Sequence, residues 1–364
     1  MTSGRVRAVS SPESDEVSVA LATYNGGRFI DEQLRSFAQQ SRLPSEVVIC
    51  DDGSTDDTLE RIDQFARTAP FPVRVSRNPR RLGFSDNFFN TISQCRSEVV
   101  ALSDQDDVWQ PGKLETCMTV LKRDASVLAV HAARIVDANL SPLGELKLLA
   151  DQRRLILPLR IRPVPGMGFG MTFVFRRQLT TLIDPGSRPP SVTNPQLKVA
   201  HDEWILLLAS IFGSISTIPE NLVWYRQHGD NAFGTSQSSP WERAKYALEL
   251  SAQRHTRRLA HSEATAEALE RNARGLPEPY RARALEGAVY YRRIADYFAR
   301  RLKLYQAASH RARVAHLIGL VARDAYSPRG LGPRALVKDA VYSLWPLPRS
   351  RHAVTEPPRD ARTH

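Results

Sequence analysis

The chain has 364 residues, 42% of them hydrophobic, and a formal charge of +11, which is length enough for a full globular core and a second, smaller unit. The charge is uneven: residues 1–240 hold 26 Lys+Arg against 27 Asp+Glu, and residues 241–364 hold 24 against 12, so the basic excess belongs to the C-terminal third. Three cysteines (Cys50, Cys95, Cys117) in no CxxC spacing, and no apolar run near the roughly 18 residues of a bilayer span, exclude a disulfide framework, a zinc knuckle and a spanning helix.

The opening MTSGRVRAVSSPESDE has no apolar stretch of the kind a signal peptide needs, so residues 1–15 read as a disordered lead-in. With the cysteine usage, this leads us to expect a cytoplasmic protein. Val17–Ala22 is an apolar strand and Thr23-Tyr24-Asn25-Gly26-Gly27 a turn. Ile30, Leu34 and Phe37, at i, i+4 and i+7, give the following helix one apolar face. Glu46–Cys50 is a second strand ending in Asp51-Asp52-Gly53-Ser54, and a helix starts at Asp56–Thr58, where acids suit the helix dipole. Pro72–Ser76 is a weaker strand, Asn78–Phe84 a basic loop, and Ser85 the expected N-cap of a helix carrying Phe88, Phe89 and Ile92.

Val99–Leu102 is a fourth strand. It ends in Asp104, Asp106 and Asp107, and a helix from Pro111 follows with Leu114, Met118 and Leu121 on one face. Four β-turn-α repeats predict a mostly parallel sheet with helices on its faces. In such sheets ligands bind beyond the carboxyl ends of the strands, where these acids would lie. Clustered carboxylates repel unless they are solvated or share a cation. Mg²⁺ or Mn²⁺ with a phosphate-bearing substrate is one solution, and an exposed acidic turn capping the next helix is the other.

Val127–Val136 reads as a strand and Asp137–Leu157 as a flexible loop. Gly166, Gly168 and Gly170, at alternate positions, would let the backbone approach a ligand closely. A dinucleotide fingerprint is excluded, because a strand (Met171–Phe175) follows these glycines where a helix should. His201-Asp202-Glu203-Trp204 opens a helix with Trp204, Leu207, Leu208 and Ile211 on its apolar face. Gly213–Ile218 and Asn221–Tyr225 are expected as two strands, the second running into Arg226-Gln227-His228-Gly229-Asp230-Asn231. Thr235–Pro240 reads as a linker. From Trp241 to Ala322 the chain is helical in composition, interrupted at Gly275-Leu276-Pro277.

Five motifs in order, ATYNGG at 22–27, ICDDGSTDDT at 49–58, LSDQDDVW at 102–109, HDEW at 201–204 and YRQHGDN at 225–231, resemble the family-2 inverting glycosyltransferases, and within them a rhamnosyltransferase-like branch. The resemblance covers residues 16–235. It implies an α/β chain of GT-A fold, with a Rossmann-like nucleotide-binding half and a mixed-sheet acceptor half. A basic, mostly helical region at 236–345 and a disordered tail at 346–364 would follow. Carried over by position, Thr23, Tyr24 and Asn25 would bind the nucleotide along the base and ribose, Asp51 or Asp52 would hold the base or ribose, and Asp104 would sit by the ribose and the metal. Asp106 would be the principal ligand of Mg²⁺ or Mn²⁺, Asp107 a supporting one, and His228 would complete the shell or touch the diphosphate. Asp202 would be the general base and Gly168 would border the acceptor, while Trp109 and Trp204 would either line the acceptor pocket or pack in the core. The implied substrates are a dTDP- or UDP-sugar, rhamnose among the candidates, and a hydroxyl of a glycan or lipid-linked acceptor in cell-surface polysaccharide synthesis.

Two rival readings compete with this one. A sugar-phosphate nucleotidyltransferase would carry a Gly-rich, Arg/Lys-bearing loop after the first strand, but the turn here is TYNGG with Arg28 nearby. A nucleic-acid-binding protein, suggested by a pI of about 9.9, would interleave aromatics with its basic residues. The C-terminal arginines instead lie among helical Ala and Leu, a pattern that suits either an anionic membrane surface on the inner face of the plasma membrane or a helical appendage that packs on the catalytic domain and uses its arginines for solubility or dimer contacts.

Overall fold

A computed structural model describes residues 15–164, 166–229, 251–327 and 329–344. The lead-in before residue 15, Asp230 and Asn231 of the last motif, the linker Thr235–Pro240 and the tail 346–364 lie outside them.

Strands β1 (Val17–Thr23), β2 (Glu46–Asp51) and β4 (Val99–Ser103) run parallel and are buried almost throughout. Covered on both faces, they have no polar side to show, hence their unbroken apolar runs. The weaker third strand, β3 (Val73–Arg77), lies at the sheet edge beside β2 and is half exposed. Helices α1 (Ile30–Ala38), α2 (Thr58–Ala66), α3 (Phe84–Gln94) and α4 (Lys113–Arg123) connect these strands and their successors. In α1 the expected face of Ile30, Leu34 and Phe37 is wholly buried.

Beyond β4 the sheet becomes mixed, in the order β3-β2-β1-β4-β9-β6-β10-β5. Here β9 (Phe173–Arg176) is antiparallel to both β4 and β6 (Leu128–Val136), β10 (Ile215–Arg226) is parallel to β6, and β5 (Val108–Trp109) is antiparallel to β10. Both expected halves are therefore present. Because β1 has β2 on one side and β4 on the other, the chain order reverses between β1 and β4, and a crevice opens at their carboxyl ends.

Three local expectations need correction. The segment 137–157 is not a plain loop: β7 (Pro142–Leu146) pairs with β6 and β8 (Arg154–Ile156) with β10. β7 is almost fully exposed, so it carries no alternation to read. The two strands expected at 213–225 are one, β10, whose register with β6 shifts between Ile218 and Val223, where Pro219 has no N–H to give the ladder. Helix α3 starts after Gly83, whose φ of 84° is a left-handed value that favours glycine. Ser85 does not cap its own helix; its Oγ accepts from the His201 N–H at 3.3 Å.

The C-terminal region is helical, with helices Ser251–Ala273, Tyr280–Gln306, His310–Val321 and Pro333–Leu344. It is not one appendage. The described residues divide into one compact unit of 15–229 with Arg257–Ala295, and a second of 251–256 with 296–344. In the first unit a Cβ on Gly287 would stand 2.9 Å from Ile211 and 3.2 Å from Leu269, and the Tyr280 and Phe212 rings are 6.2 Å apart. Helix α6 (His201–Phe212; α5 is the short turn Leu179–Leu182) is thus enclosed on nearly every side, which its almost continuously apolar sequence requires. In the second unit the fully buried Asp339 accepts from Arg301 Nε and Nη2 at 2.7–2.9 Å and from the Tyr305 and Tyr326 hydroxyls at 2.8 Å each.

Candidate active site

At the β1/β4 crevice lies a cleft of about 770 Å³, within the size range of small-ligand sites. Its floor is the turn after β1, held from two sides. Gln105 receives the Tyr24 N–H at 2.9 Å and donates to the Tyr24 carbonyl at 3.0 Å. Ser54 and Thr58 hydroxyls accept the Asn25 and Gly26 N–H groups at 2.8 Å, and Asp56 accepts the Gly27 N–H at 3.0 Å. Burial alone would raise the Asp56 pKa, but bonds from Thr58 and Gly27 hold it below the usual range. Gly27 admits no side chain, because a Cβ would sit 2.0 Å from Asp57 Oδ1. Thr23, Tyr24 and Asn25 all border the cleft, and the Arg81 guanidinium lies 4.0 Å over the Tyr24 ring.

The two acids after β2 part ways. Asp51 is fully buried inside its own loop, accepting from the Ser54 N–H at 2.8 Å, the Gly53 N–H at 3.1 Å and the Thr23 hydroxyl at 3.2 Å, and it does not border the cleft. Asp52 does border it. Its carboxylate also anchors the basic loop through Asn78 at 2.8 Å and the Leu82 and Gly83 N–H groups at 2.7 and 2.8 Å.

The acids after β4 part in the same way. Asp104 and Asp106 face the cleft. Asp107 lies behind it, because the chain turns there into β5; its Oδ1 accepts the Arg226 N–H at 3.0 Å, its Oδ2 has no partner, and it is not a cleft ligand. His228 Nε2 is 2.8 Å from Asp106 Oδ2, and its ring lies 4.7 Å from that of Phe29. Arg226 fixes this arrangement: Nε donates to the Asp106 carbonyl at 2.8 Å, Nη1 to the Ala138 carbonyl at 2.6 Å, and Nη2 pairs with Glu32 of α1. Burial, then the charges of Asp106 and Asp202, push Asp104 up to about 8, and burial with Asp106 and Asp104 raises Asp107 well above its usual range. Lys113, wholly buried on α4, partly offsets this. It donates to the Met171 carbonyl at 2.7 Å, lies 3.5 Å over Trp109, and is itself lowered to about 7 by burial.

Among the described residues no three His, Cys, Asp or Glu form a metal cage by themselves. A two-carboxylate site still fits Mg²⁺ or Mn²⁺, which take one or two protein carboxylates and fill the remaining positions with substrate phosphate and water. The chemistry of the donor set fits a cation there: two carboxylates on one short loop border the same cleft, and burial and the Asp106 charge raise Asp104 above its usual range.

The other wall is the first turn of α6. Asp202 faces the cleft and accepts the Glu203 N–H at 2.8 Å; burial raises its pKa to about 6 against the lowering effect of backbone N–H bonds. Glu203 also borders the cleft and is raised to about 7 by burial and by Asp202. His201 stacks on Phe88 at 4.0 Å, is pushed down to about 3 by burial, and is therefore a neutral ring. Gly166, Gly168 and Gly170 line the same space, where a Cβ on Gly170 would come 2.7 Å from His201 Nε2.

Trp109 and Trp204 are not on the cleft. Trp109 packs edge-on against Phe37 at 4.7 Å and Trp204 has no exposed surface, so both belong to the core. Sequence reasoning missed Gln105, Glu203, Arg81 and Phe29 on the cleft wall and Arg226 and Lys113 behind it. Glu203 could have been found from its place beside Asp202 in HDEW. Lys113 gave no signal, because a lysine at a helix start reads as solvated.

Residues 18–181 match the family model Glycosyl transferase family 2. An uncharacterized glycosyltransferase of Nostoc sp. is 28% identical over 236 residues, 62% of this chain and 69% of that one. The dTDP-rhamnosyl transferase RfbG of Shigella flexneri is 32% identical over 105 residues, 28% of this chain and 36% of that one. Among solved structures, residues 1–349 of S. aureus TarS in complex with UDP-GlcNAc align with a TM-score of 0.51 at 19% identity, covering 86% of this chain and 93% of that one. That likeness identifies the fold as GT-A.

Proposed function

We propose that this chain, a glycosyltransferase carrying a family 2 domain, moves a sugar from a nucleotide-diphosphate donor to a hydroxyl with inversion at the anomeric carbon. One observation carries the reading. Asp104 and Asp106, at the carboxyl end of β4, and Asp202, on the first turn of α6, line the same cleft at the point where the sheet order reverses. Acids that suit a diphosphate-bound cation and an acid that suits proton acceptance thereby border one substrate-sized space.

Thr23, Tyr24 and Asn25 bind the nucleoside end, with Asp52 and the cationic face of Arg81 beside them. Asp104 and Asp106 would hold Mg²⁺ or Mn²⁺, with His228 orienting Asp106. When bound, such an ion supplies Lewis-acid stabilisation of charge on the departing diphosphate. Asp202, ionised above about pH 6, accepts the proton from the acceptor hydroxyl as its oxygen attacks the face opposite the diphosphate. The glycine-lined wall at 166–170 lets the acceptor approach closely.

The donor is a dTDP- or UDP-sugar. A dTDP-rhamnosyl transferase among the relatives and UDP-GlcNAc on the structural neighbour support that pair of bases. The acceptor is a glycan or lipid-linked glycan of the cell surface, reached from the cytoplasmic side. The deciding experiment is a panel of dTDP- and UDP-sugars scored for thermal stabilisation and transfer with and without Mn²⁺. A chain that neither binds nor turns over any of them would sink the reading.

A further inference from the structure

We infer that the second, C-terminal helical unit carries a docking face for an anionic lipid bilayer surface, formed by the outward stripes of helices His310–Val321 and Pro333–Leu344. In Pro333–Leu344 the buried ion-pair knot at Asp339, with Ser343, fixes which side points inward. Val337, Val341 and Leu344 are 65%, 59% and 67% exposed, and their spacing of i, i+4 and i+7 puts them on one face. Helix His310–Val321, capped by the Ser309 hydroxyl on the Ala312 N–H at 3.2 Å, buries Arg313 and Leu320 yet leaves Ile318 and Val321 62% and 52% exposed. The two helices pack against each other. Single exposed apolar residues are ordinary, but five on two adjacent short helices are a concentration that marks an interaction surface.

Charge selects the occupant. From Asp296 to His364 the chain holds 13 Lys+Arg against 5 Asp+Glu. Two acids are paired with two of those bases, Asp296 with Arg300 and Asp339 with Arg301, which leaves 11 Lys+Arg against 3 Asp+Glu. Arg311 and Arg334 are exposed near the starts of the two stripes. A second copy would set one basic face against another, whereas an acidic bilayer offers opposite charge together with an apolar layer for the stripes. Among the described residues no helix is long and apolar enough to cross a membrane, so these helices would lie in the interface. The inference concerns a surface outside the cleft and does not depend on the transfer reaction.

The test is sedimentation of the full chain with phosphatidylglycerol-containing vesicles and with phosphatidylcholine vesicles, at low and high salt. Two double variants accompany it, Val337→Asp with Val341→Asp, and Arg311→Glu with Arg334→Glu; all four residues are exposed, so both should fold, as circular dichroism will verify. The wild-type chain should bind the anionic vesicles at low salt and lose them at high salt or on phosphatidylcholine. Each double variant should bind about tenfold more weakly. The inference is overturned if the wild-type chain stays in the supernatant with anionic vesicles, or if both variants bind as the wild type does. It is also overturned if the valine variant turns an oligomer into a monomer in the absence of lipid, which would make the face a contact between copies.

Discussion

Asp202 and Glu203 are adjacent carboxylates on one wall, both raised by burial, and the proposed transfer needs a single proton acceptor. We expect Asp202→Asn to keep donor binding while losing transfer by more than about tenfold, and Glu203→Gln to retain most of it. The reverse pattern in single-turnover assays would move the base to Glu203. The Asp202 pKa of about 6 also sets an acid limb: kcat/KM should fall as pH drops through about 6, because the base must be ionised. The same shift has a stability sign. A carboxyl raised above its unfolded value of 3.8 costs stability in full above about pH 6 and costs nothing below the unfolded value. Asp202→Asn should therefore be more stable than the wild type at pH 8, by about 3 kcal/mol, with the gain gone near pH 4; thermal melts at the two pH values check this. If Asp106 holds the divalent ion as proposed, Asp106→Ala should abolish divalent-dependent donor binding without loss of fold, since it thins a repulsive cluster, and calorimetry with and without Mn²⁺ reads that directly.

At the scale of elements, β5 and the end of β10 turn the acid loop into a site. Two residues of β5 pair with Val223 and Trp224, which brings Trp109 into the core and aims Asp106 toward His228. Trp109 is therefore a structural anchor: it packs on Phe37 and under the Lys113 ammonium. Trp109→Ala should cost about 3–5 kcal/mol in urea unfolding through the cavity it leaves. An acceptor-contacting role would instead raise KM with stability unchanged. Nothing local announces this, since a tryptophan after an acidic motif reads equally well as a pocket wall. The strands themselves were legible because burial on both faces leaves an apolar run that needs no partner to be recognised, whereas β7 on the exposed edge has no such signature.

For the whole molecule, the composition break near residue 238 suggested a boundary that the packing does not respect. Arg257–Ala295 belongs to the same compact unit as the residues that line the cleft and encloses α6, whose first turn carries Asp202. A chain cut after Ser238 should thus lose cooperative unfolding and donor binding together, by exposing Ile211 and Phe212; a melt as sharp as that of the full chain would show α6 to be self-sufficient. The sequence by itself determined the order of elements, the acids at the strand ends, the GT-A resemblance and the basic helical C-terminus. These are local properties, set by apolar period, turn chemistry and residue type within a few positions. Only the tertiary structure decided which of Asp51, Asp52, Asp104, Asp106 and Asp107 face the cleft, and that Arg226 locks the acid loop to Glu32 across 194 residues of chain. It likewise decided that the helical region is split between two units. Successive residues of a turn have no fixed period, so the direction of each carboxylate is settled by partners far away in sequence, through burial and hydrogen bonds that no local window contains.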